Sequence, residues 1–204
     1  MKKPFALVAL LTFVAGVGSA QSTLRLEAGV ATNAWVASHN GQPLLRYVFN
    51  PRQAKPYVAE FSAPGGRNIL RDSPSDHLHH HALMYAIKVN GLNFWEEVSG
   101  NGVERVVETT ASMTGGAATL RQTIHWVAPQ DAFLADTTPA ALLVEQRTLV
   151  LTVDAAAREA ALEWKAEFEV GPKTNDITLT GTGYHGLGLR FLQQFDAVAN
   201  HSYA

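Results

Sequence analysis

The chain has 204 residues, with 16 Lys+Arg, 18 Asp+Glu and no cysteine. A slightly acidic chain lacks the basic footprint of a nucleic-acid-binding protein. The absence of cysteine excludes a disulfide scaffold, a thiolate metal site and a cysteine nucleophile. The length suits one domain with a substantial hydrophobic core.

Residues 1–20 have the features of a bacterial signal peptide. Lys2 and Lys3 precede the apolar stretch 5–17, and residues 18–20 are small. Their removal leaves 184 residues, 14 of them basic and 18 acidic, with no further run of the ~18 apolar residues that a membrane span needs. We therefore expect export to the periplasm or the medium, and a soluble domain over 21–204 with neither a membrane segment nor a nucleic-acid partner. An uncleaved anchor is the alternative.

The remaining chain is predicted to be β-structure nearly throughout. The Asn40-Gly41 and Asn90-Gly91 pairs favour tight hairpins. The alanine-rich segment 154–161 is too short for an isolated helix, and we interpret it as a loop with at most one helical turn. Many short strands joined by turn residues predict an antiparallel β-sandwich or barrel. The predicted strands are 24–27, 34–37, 44–49, 57–61, 82–89, 103–113, 117–127, 142–153 and 162–170.

Four of the eight histidines lie within residues 76–81: His77, His79, His80 and His81. In an extended strand, His77, His79 and His81 would share one face and form a tentative ligand set for a divalent metal ion. In a turn, His79 and His80 would converge instead. The Pro, Ser and Asp content of residues 71–76 favours a loop. Three interpretations stay open: a metal site, a metal-free site for sugar binding or acid–base chemistry, and a loop with only local hydrogen bonds.

Three arginines, Arg67, Arg71 and Arg190, could bind carboxylate or hydroxyl groups of a ligand. Ion pairs with Asp72 or Asp76 are the alternative role for them.

Trp95 could stack on a sugar ring, although a Trp at the start of a strand is more often part of the core. His185 lies in the glycine-rich segment 180–186, where backbone can approach a ligand closely. It becomes a candidate acid–base group if the fold brings it near residues 77–80.

Several motifs occur together in the chain: Lys55-Pro56-Tyr57, residues 64–67 and 71–80, Asn90-Gly91, Phe94-Trp95 and residues 184–191. In this combination they resemble the bacterial family known as PmoA-like, over residues 24 to 192. The resemblance implies a large β-sandwich, similar to the galactose-mutarotase supersandwich that binds sugars on one sheet, and a gene placed among sugar-degrading systems. The family name borrows that of a methane monooxygenase subunit with several membrane-spanning helices, and we reject that role because residues 21–204 contain no such segment.

The chain departs from the family pattern at three places. Leu78 stands where proline is usual, His81-Ala82 where arginine and glycine are usual, and Tyr184-His185 where lysine and glutamate are usual. A role of that last pair in the family therefore does not transfer to this chain. Family members usually continue beyond the glycine-rich segment, so we expect a chain that is short at its C-terminal end. A truncated gene, a fragment and a divergent short form are the alternatives, and a sandwich of the family's size could then be incomplete.

The sequence thus predicts an exported β-sandwich protein that binds or acts on carbohydrate through its histidine-rich loop. As an enzyme it would be a lyase, epimerase or hydrolase that uses histidine for proton transfer. The alternatives are a non-catalytic carbohydrate-binding or envelope interaction module and a divalent-metal-binding protein. The candidate catalytic residues are His77, His79, His80 and His185. The candidate ligand-binding residues are Arg67, Arg71, Asp76, Trp95 and Arg190.

Overall fold

The computed structural model describes residues 5–14, 26–132 and 140–195. Two short 3-10 helices, Pro129–Asp131 and Gln193–Phe195, accompany the strands in these ranges. The strands are β1 (Phe5–Val14), β2 (Leu26–Ala31), β3 (Ala34–His39), β4 (Gln42–Val48), β5 (Tyr57–Phe61), β6 (Leu83–Ala86), β7 (Lys88–Val89), β8 (Leu92–Asn93), β9 (Val103–Thr114), β10 (Ala117–Val127), β11 (Leu143–Asp154), β12 (Glu159–Val170), β13 (Leu179–Thr180) and β14 (Gly186–Leu189).

The strands form antiparallel sheets that pack as a sandwich, which confirms the predicted fold class. One sheet has the order β1-β12-β11-β10-β9, the second β14-β6-β5-β4-β3-β2, and a small third sheet β13-β7-β8. The two large sheets meet through their inner faces. The Tyr47 hydroxyl of β4 donates a hydrogen bond to Gln122 Oε1 of β10 at 2.9 Å. The ring of Tyr85 in β6 packs on that of Trp126 in β10, with 5.8 Å between the ring centroids.

The alternation in β12 shows how the sequence assigns its core face. Leu162, Trp164 and Phe168 are at most 2% exposed, whereas Glu163 and Lys165 between them are partly exposed. Successive side chains of a strand point to opposite faces, so this pattern turns every second residue toward the facing sheet. The predicted strand 162–170 is confirmed, with one face in the core and one partly exposed.

Several of the tight turns between strands lie at Asn-Gly and Gly-Gly pairs. Asn40-Gly41 and Asn90-Gly91 both have positive φ at both positions, as a two-residue hairpin requires. Gly115 and Gly116 join β9 to β10 in the same way. A tight turn, without a helix, joins β11 to β12 over residues 155–158, as predicted.

The predicted strand 82–89 was wrong in one respect, because it divides at Ile87. Residues up to Ala86 pair in the second large sheet, and Lys88 and Val89 pair in the small one. Asn90 draws the chain toward residues 176–178, since its side chain donates to the Asp176 carbonyl and accepts from the Thr178 amide. A local pattern cannot show which sheet a strand joins.

The first strand lies within the predicted signal peptide. Phe5–Val14 pairs with the edge of β12 along its whole length, from Phe5 opposite Phe168 to Val14 opposite Glu159. Residues 1–4 and 15–20 of that prediction lie outside the described residues. Cleavage after Ala20 would leave this edge of β12 unpaired. No helix in the described ranges is long and apolar enough to cross a membrane.

Candidate functional site

The histidine-rich segment is a loop built from successive turns. The His77 amide donates to the Pro74 carbonyl at 2.9 Å, and the His80 amide donates to the His77 carbonyl at 3.0 Å. The Ser73 amide closes the loop on the His80 carbonyl at 3.1 Å. The turn alternative therefore holds: the His80 ring lies 4.7 Å from that of His77 and 4.5 Å from that of His79.

His81 does not belong to this exposed group, because its side chain is only 6% exposed. Its Nδ1 lies 2.8 Å from Asp72 Oδ1, and its Nε2 lies 2.9 Å from Glu97 Oε1. Both ring nitrogens are occupied, so the structure gives no support to the set His77, His79 and His81 as metal ligands. Among the residues described, no three His, Asp or Glu side chains are arranged to hold a metal ion.

A buried polar network surrounds His81. The Lys55 side chain is fully buried, and its Nζ donates to Glu97 Oε1 at 2.7 Å and to the Trp95 carbonyl at 2.8 Å. The Tyr57 ring stacks on His81 at 3.8 Å, and its hydroxyl donates to Asp72 Oδ2 at 3.1 Å. We call Lys55, Tyr57, Asp72, His81 and Glu97 the His81 network. Its hydrogen bonds connect the histidine loop to the segment with Lys55 and Tyr57 and to the segment with Glu97.

The protonation states of the network support one another. Burial opposes the charged form of His81, but the hydrogen bonds to Asp72 and Glu97 outweigh it and raise the His81 pKa. Burial works against ionised Asp72 and Glu97 too, yet the hydrogen bond from His81 leaves the pKa of each below its usual value. Burial and the nearby Asp72 raise the pKa of Tyr57 to about 12, so its hydroxyl stays protonated. Two cations thus balance two carboxylates.

Beside this network lies an open groove of about 280 Å³. Its wall includes His80, Trp95, Tyr184, His185, Gly188 and Arg190. These side chains come together because β14 pairs with β6, which brings the glycine-rich segment beside the histidine loop. The Arg190 amide continues this pairing by donating to the Ala82 carbonyl at 2.7 Å.

The hydrogen bond between Arg190 and His80 fixes the state of that histidine. Arg190 Nη1 lies 2.9 Å from His80 Nδ1. A guanidinium group only donates, so Nδ1 carries a lone pair and the proton of the neutral ring is on Nε2. Burial, with smaller contributions from His79 and His77, lowers the pKa of His80 to about 4. His80 is therefore a neutral hydrogen-bond donor near pH 7.

His185 is held in the same state by another partner. The Thr182 amide donates to His185 Nδ1 at 3.1 Å, which again leaves the ring proton on Nε2. That Nε2 is buried and has no hydrogen-bond partner among the described residues. The Trp95 ring lies 5.7 Å from His185 on one side and 5.7 Å from His80 on the other. The fold thus brings His185 to the wall that carries His80.

The two aromatic residues of the groove differ in exposure. Trp95 is only 7% exposed, and a Cβ at Gly188 would lie 2.9 Å from its ring, so Trp95 is largely a core residue that forms the floor. Tyr184 is 77% exposed. It is the aromatic ring available to a ligand, and sequence reasoning did not select it.

The remaining predicted ligand-binding residues do not line the groove. Arg67 is exposed in the turn after Gly66. The Arg71 amide donates to the Arg190 carbonyl at 3.0 Å, so Arg71 contributes through its backbone. Asp76 pairs with His77 Nδ1 at 3.1 Å on the surface. Sequence reasoning also missed the His81 network, although Lys55 and Tyr57 belong to a motif that carried the family resemblance.

A family model described as "Family of unknown function (DUF6807)" matches residues 34–204, which include the groove and the His81 network. No curated protein and no solved structure matches the chain. The matched description does not carry the PmoA-like name, which remains a resemblance. Because the match covers most of the sequence, the chain belongs to the DUF6807 family of unknown function.

Proposed function

We propose that the protein binds a carbohydrate in the groove between the histidine loop and the glycine-rich segment. The observation that carries the proposal is the exposed ring of Tyr184 beside the donors Arg190 and His80. An aromatic face suits the apolar face of a sugar ring, and convergent donors suit its oxygen atoms. The groove volume of about 280 Å³ lies near the lower end of small-molecule sites, which start at roughly 300 Å³.

The histidine geometry favours binding over proton abstraction at His80 and His185. Each Nδ1 already accepts a hydrogen bond, and each Nε2 carries a proton. A general base needs a free lone pair within reach of the substrate proton. Both rings would therefore donate hydrogen bonds to a ligand.

Acid–base turnover of the sugar is the second candidate function, and His79 favours it. His79 does not line the groove, but its ring lies against that of His80, which does. Neither of its nitrogens has a hydrogen-bond partner among the described residues. Burial and the charge of Lys55 lower its pKa, so its neutral form can accept a proton near pH 7. A lyase, epimerase or hydrolase step would use this histidine.

We place the binding event outside the cytoplasm, on the basis of the signal-peptide pattern in residues 1–20. An extracytoplasmic carbohydrate is the class of ligand that such a protein would meet. The sequence resemblance to a family with a sugar-binding type of sandwich favours the same ligand class.

A binding survey tests the proposal. The wild-type protein, Tyr184→Ala, Tyr184→Phe and Leu78→Ala are titrated with a panel of mono- and oligosaccharides by calorimetry. Leu78 is 67% exposed and lies outside the groove, so it is the matched control. Loss of an aromatic contact worth about 1.5 kcal/mol predicts roughly tenfold weaker binding for Tyr184→Ala, with little change for the other two variants. Absence of saccharide binding, or equal binding by Tyr184→Ala and Leu78→Ala, would refute the proposal.

A further inference from the structure

The groove contains hydrogen-bond donors and a positive charge, and no Asp or Glu side chain lies on its wall. Arg190 carries a positive charge, and the buried His81 also reaches the wall, with both ring nitrogens already bound. His80 and His185 each hold their ring proton on Nε2. A neutral sugar presents hydroxyl protons as well as hydroxyl oxygens, and among the lining side chains the Tyr184 hydroxyl is the strong acceptor for such protons. The wall therefore favours a ligand group that only accepts hydrogen bonds.

The nearby carboxylates have other partners. Asp76 lies close enough for its charge to interact with that of Arg190, but it is exposed and pairs with His77 Nδ1 at 3.1 Å. Asp72 and Glu97 are bound to His81, Tyr57 and Lys55 in the network behind the groove. Within the described ranges, Arg190 makes no ion pair, and its side-chain hydrogen bond goes to an uncharged ring. The guanidinium has five N–H donors, so several remain for a ligand.

The unpartnered His185 Nε2–H is the second observation. A buried donor without an acceptor is unfavourable, and a ligand oxygen bound against His185 in the groove would satisfy it. Arg190 and His185 flank the groove together with the exposed Tyr184 ring. This arrangement places hydrogen-bond donors for a carboxylate group next to an aromatic face that can pack on a sugar ring.

We propose that the groove selects an acidic sugar, a uronate, whose carboxylate is bound by Arg190 with hydrogen bonds from the Nε2–H groups of His80 and His185. A planar guanidinium group can donate two parallel hydrogen bonds to the two oxygen atoms of a carboxylate. This pairing favours a uronate over the neutral sugar, which has a hydroxymethyl group in place of the carboxylate. The inference rests on the proposed carbohydrate-binding function and narrows its ligand class.

The test is a paired titration by calorimetry at pH 7, with D-glucuronate against D-glucose, D-galacturonate against D-galactose and D-mannuronate against D-mannose. Acetate serves as a carboxylate without a sugar ring. We expect at least one uronate to bind tenfold or more tightly than its neutral partner and than acetate. We expect Arg190→Gln to abolish this difference. Arg121→Gln, at an exposed position on β10 outside the groove, should retain it.

The outcomes separate the two proposals. If neutral sugars bind as tightly as their uronates, or if Arg190→Gln preserves the uronate preference, the acidic-sugar inference fails while carbohydrate binding stands. If acetate binds as tightly as every uronate, the ring contributes nothing and both proposals fail. If no sugar binds, both also fail. Circular dichroism shows whether Arg190→Gln is folded, and Arg190→Lys, which keeps the charge without the fork, should show an intermediate preference.

Discussion

His81→Leu removes the centre of the buried network and tests whether that network holds the histidine loop. The substitution deletes the hydrogen bonds to Asp72 and Glu97, which measure 2.8 and 2.9 Å. It also removes the ring on which Tyr57 stacks. Lys55 and Glu97 remain paired, whereas Asp72 loses its cationic partner.

The expected loss of folding free energy in His81→Leu depends on how deeply Asp72 and Glu97 are buried. Removal of one member of a buried charge pair costs about 3–5 kcal/mol. The side chains of Asp72 and Glu97 are 31% and 24% exposed, so water compensates part of the loss and the lower end applies. In a domain of this size 1 kcal/mol shifts the melting temperature by roughly 2–4 °C, so a loss of about 3 kcal/mol predicts a decrease of roughly 6–12 °C.

The pH dependence gives the network a second signature. The raised His81 pKa means that its stabilisation is fully present below about pH 6.5, its unfolded value, and is lost as the pH rises through the folded value. The lowered pKa values of Asp72 and Glu97 mean that their stabilisation is present above about pH 4 and is lost as the pH falls below it. The difference between wild type and His81→Leu should therefore be largest between about pH 5 and 6.5.

The assay is thermal unfolding followed by circular dichroism from pH 3 to pH 9. His77→Leu is the matched control, because His77 lies in the same loop with a side chain that is 48% exposed. Its effect should stay within about 0.5 kcal/mol. A His81→Leu change as small as that of the control, or a difference that grows from pH 6.5 to pH 9, would refute the assigned role of His81.

Three further outcomes are expected. In ¹⁵N NMR of the histidine rings, His80 and His185 should show the neutral Nε2–H tautomer at pH 6, while His81 is doubly protonated; an Nδ1–H signal at His80 would contradict its bond from Arg190. Gly181→Ala should abolish sugar binding with little loss of stability, since its Cβ would lie 2.6 Å from that of His185 in an exposed turn; retained affinity would remove His185 from the site. Mass spectrometry of protein expressed in a bacterial host with export machinery should give an N-terminus at Gln21, and an intact Met1 would count against export.

The sequence predicted those parts of the fold that depend on neighbouring residues. Asn40-Gly41 and Asn90-Gly91 mark turns through their own backbone preferences, and the alternation in β12 marks its core face. Phe5–Val14 shows the limit of such patterns, because an apolar run is compatible with an export signal and with the edge strand that the structure describes. Its length and hydropathy alone do not distinguish the two.

The candidate site was predicted only in part because its contacts are distant in sequence. The sequence left open whether the histidines share a strand face or converge in a turn, and it did not separate His81 from the others. The turns place His80 at the groove and His81 in the interior. The partner of His80, Arg190, is 110 residues away. The Lys55–Glu97 contact spans 42 residues, so no local spacing could reveal it.

The most direct test of the account is to locate the bound sugar. Protein labelled with ¹⁵N is titrated with the tightest-binding uronate, and the backbone amides that shift are assigned. We expect saturable shifts concentrated at residues 80–81 and 183–190, which the groove brings together. Saturable shifts confined to the separate cavity that contains Arg52 and Asn101, with the groove amides unchanged, would contradict it.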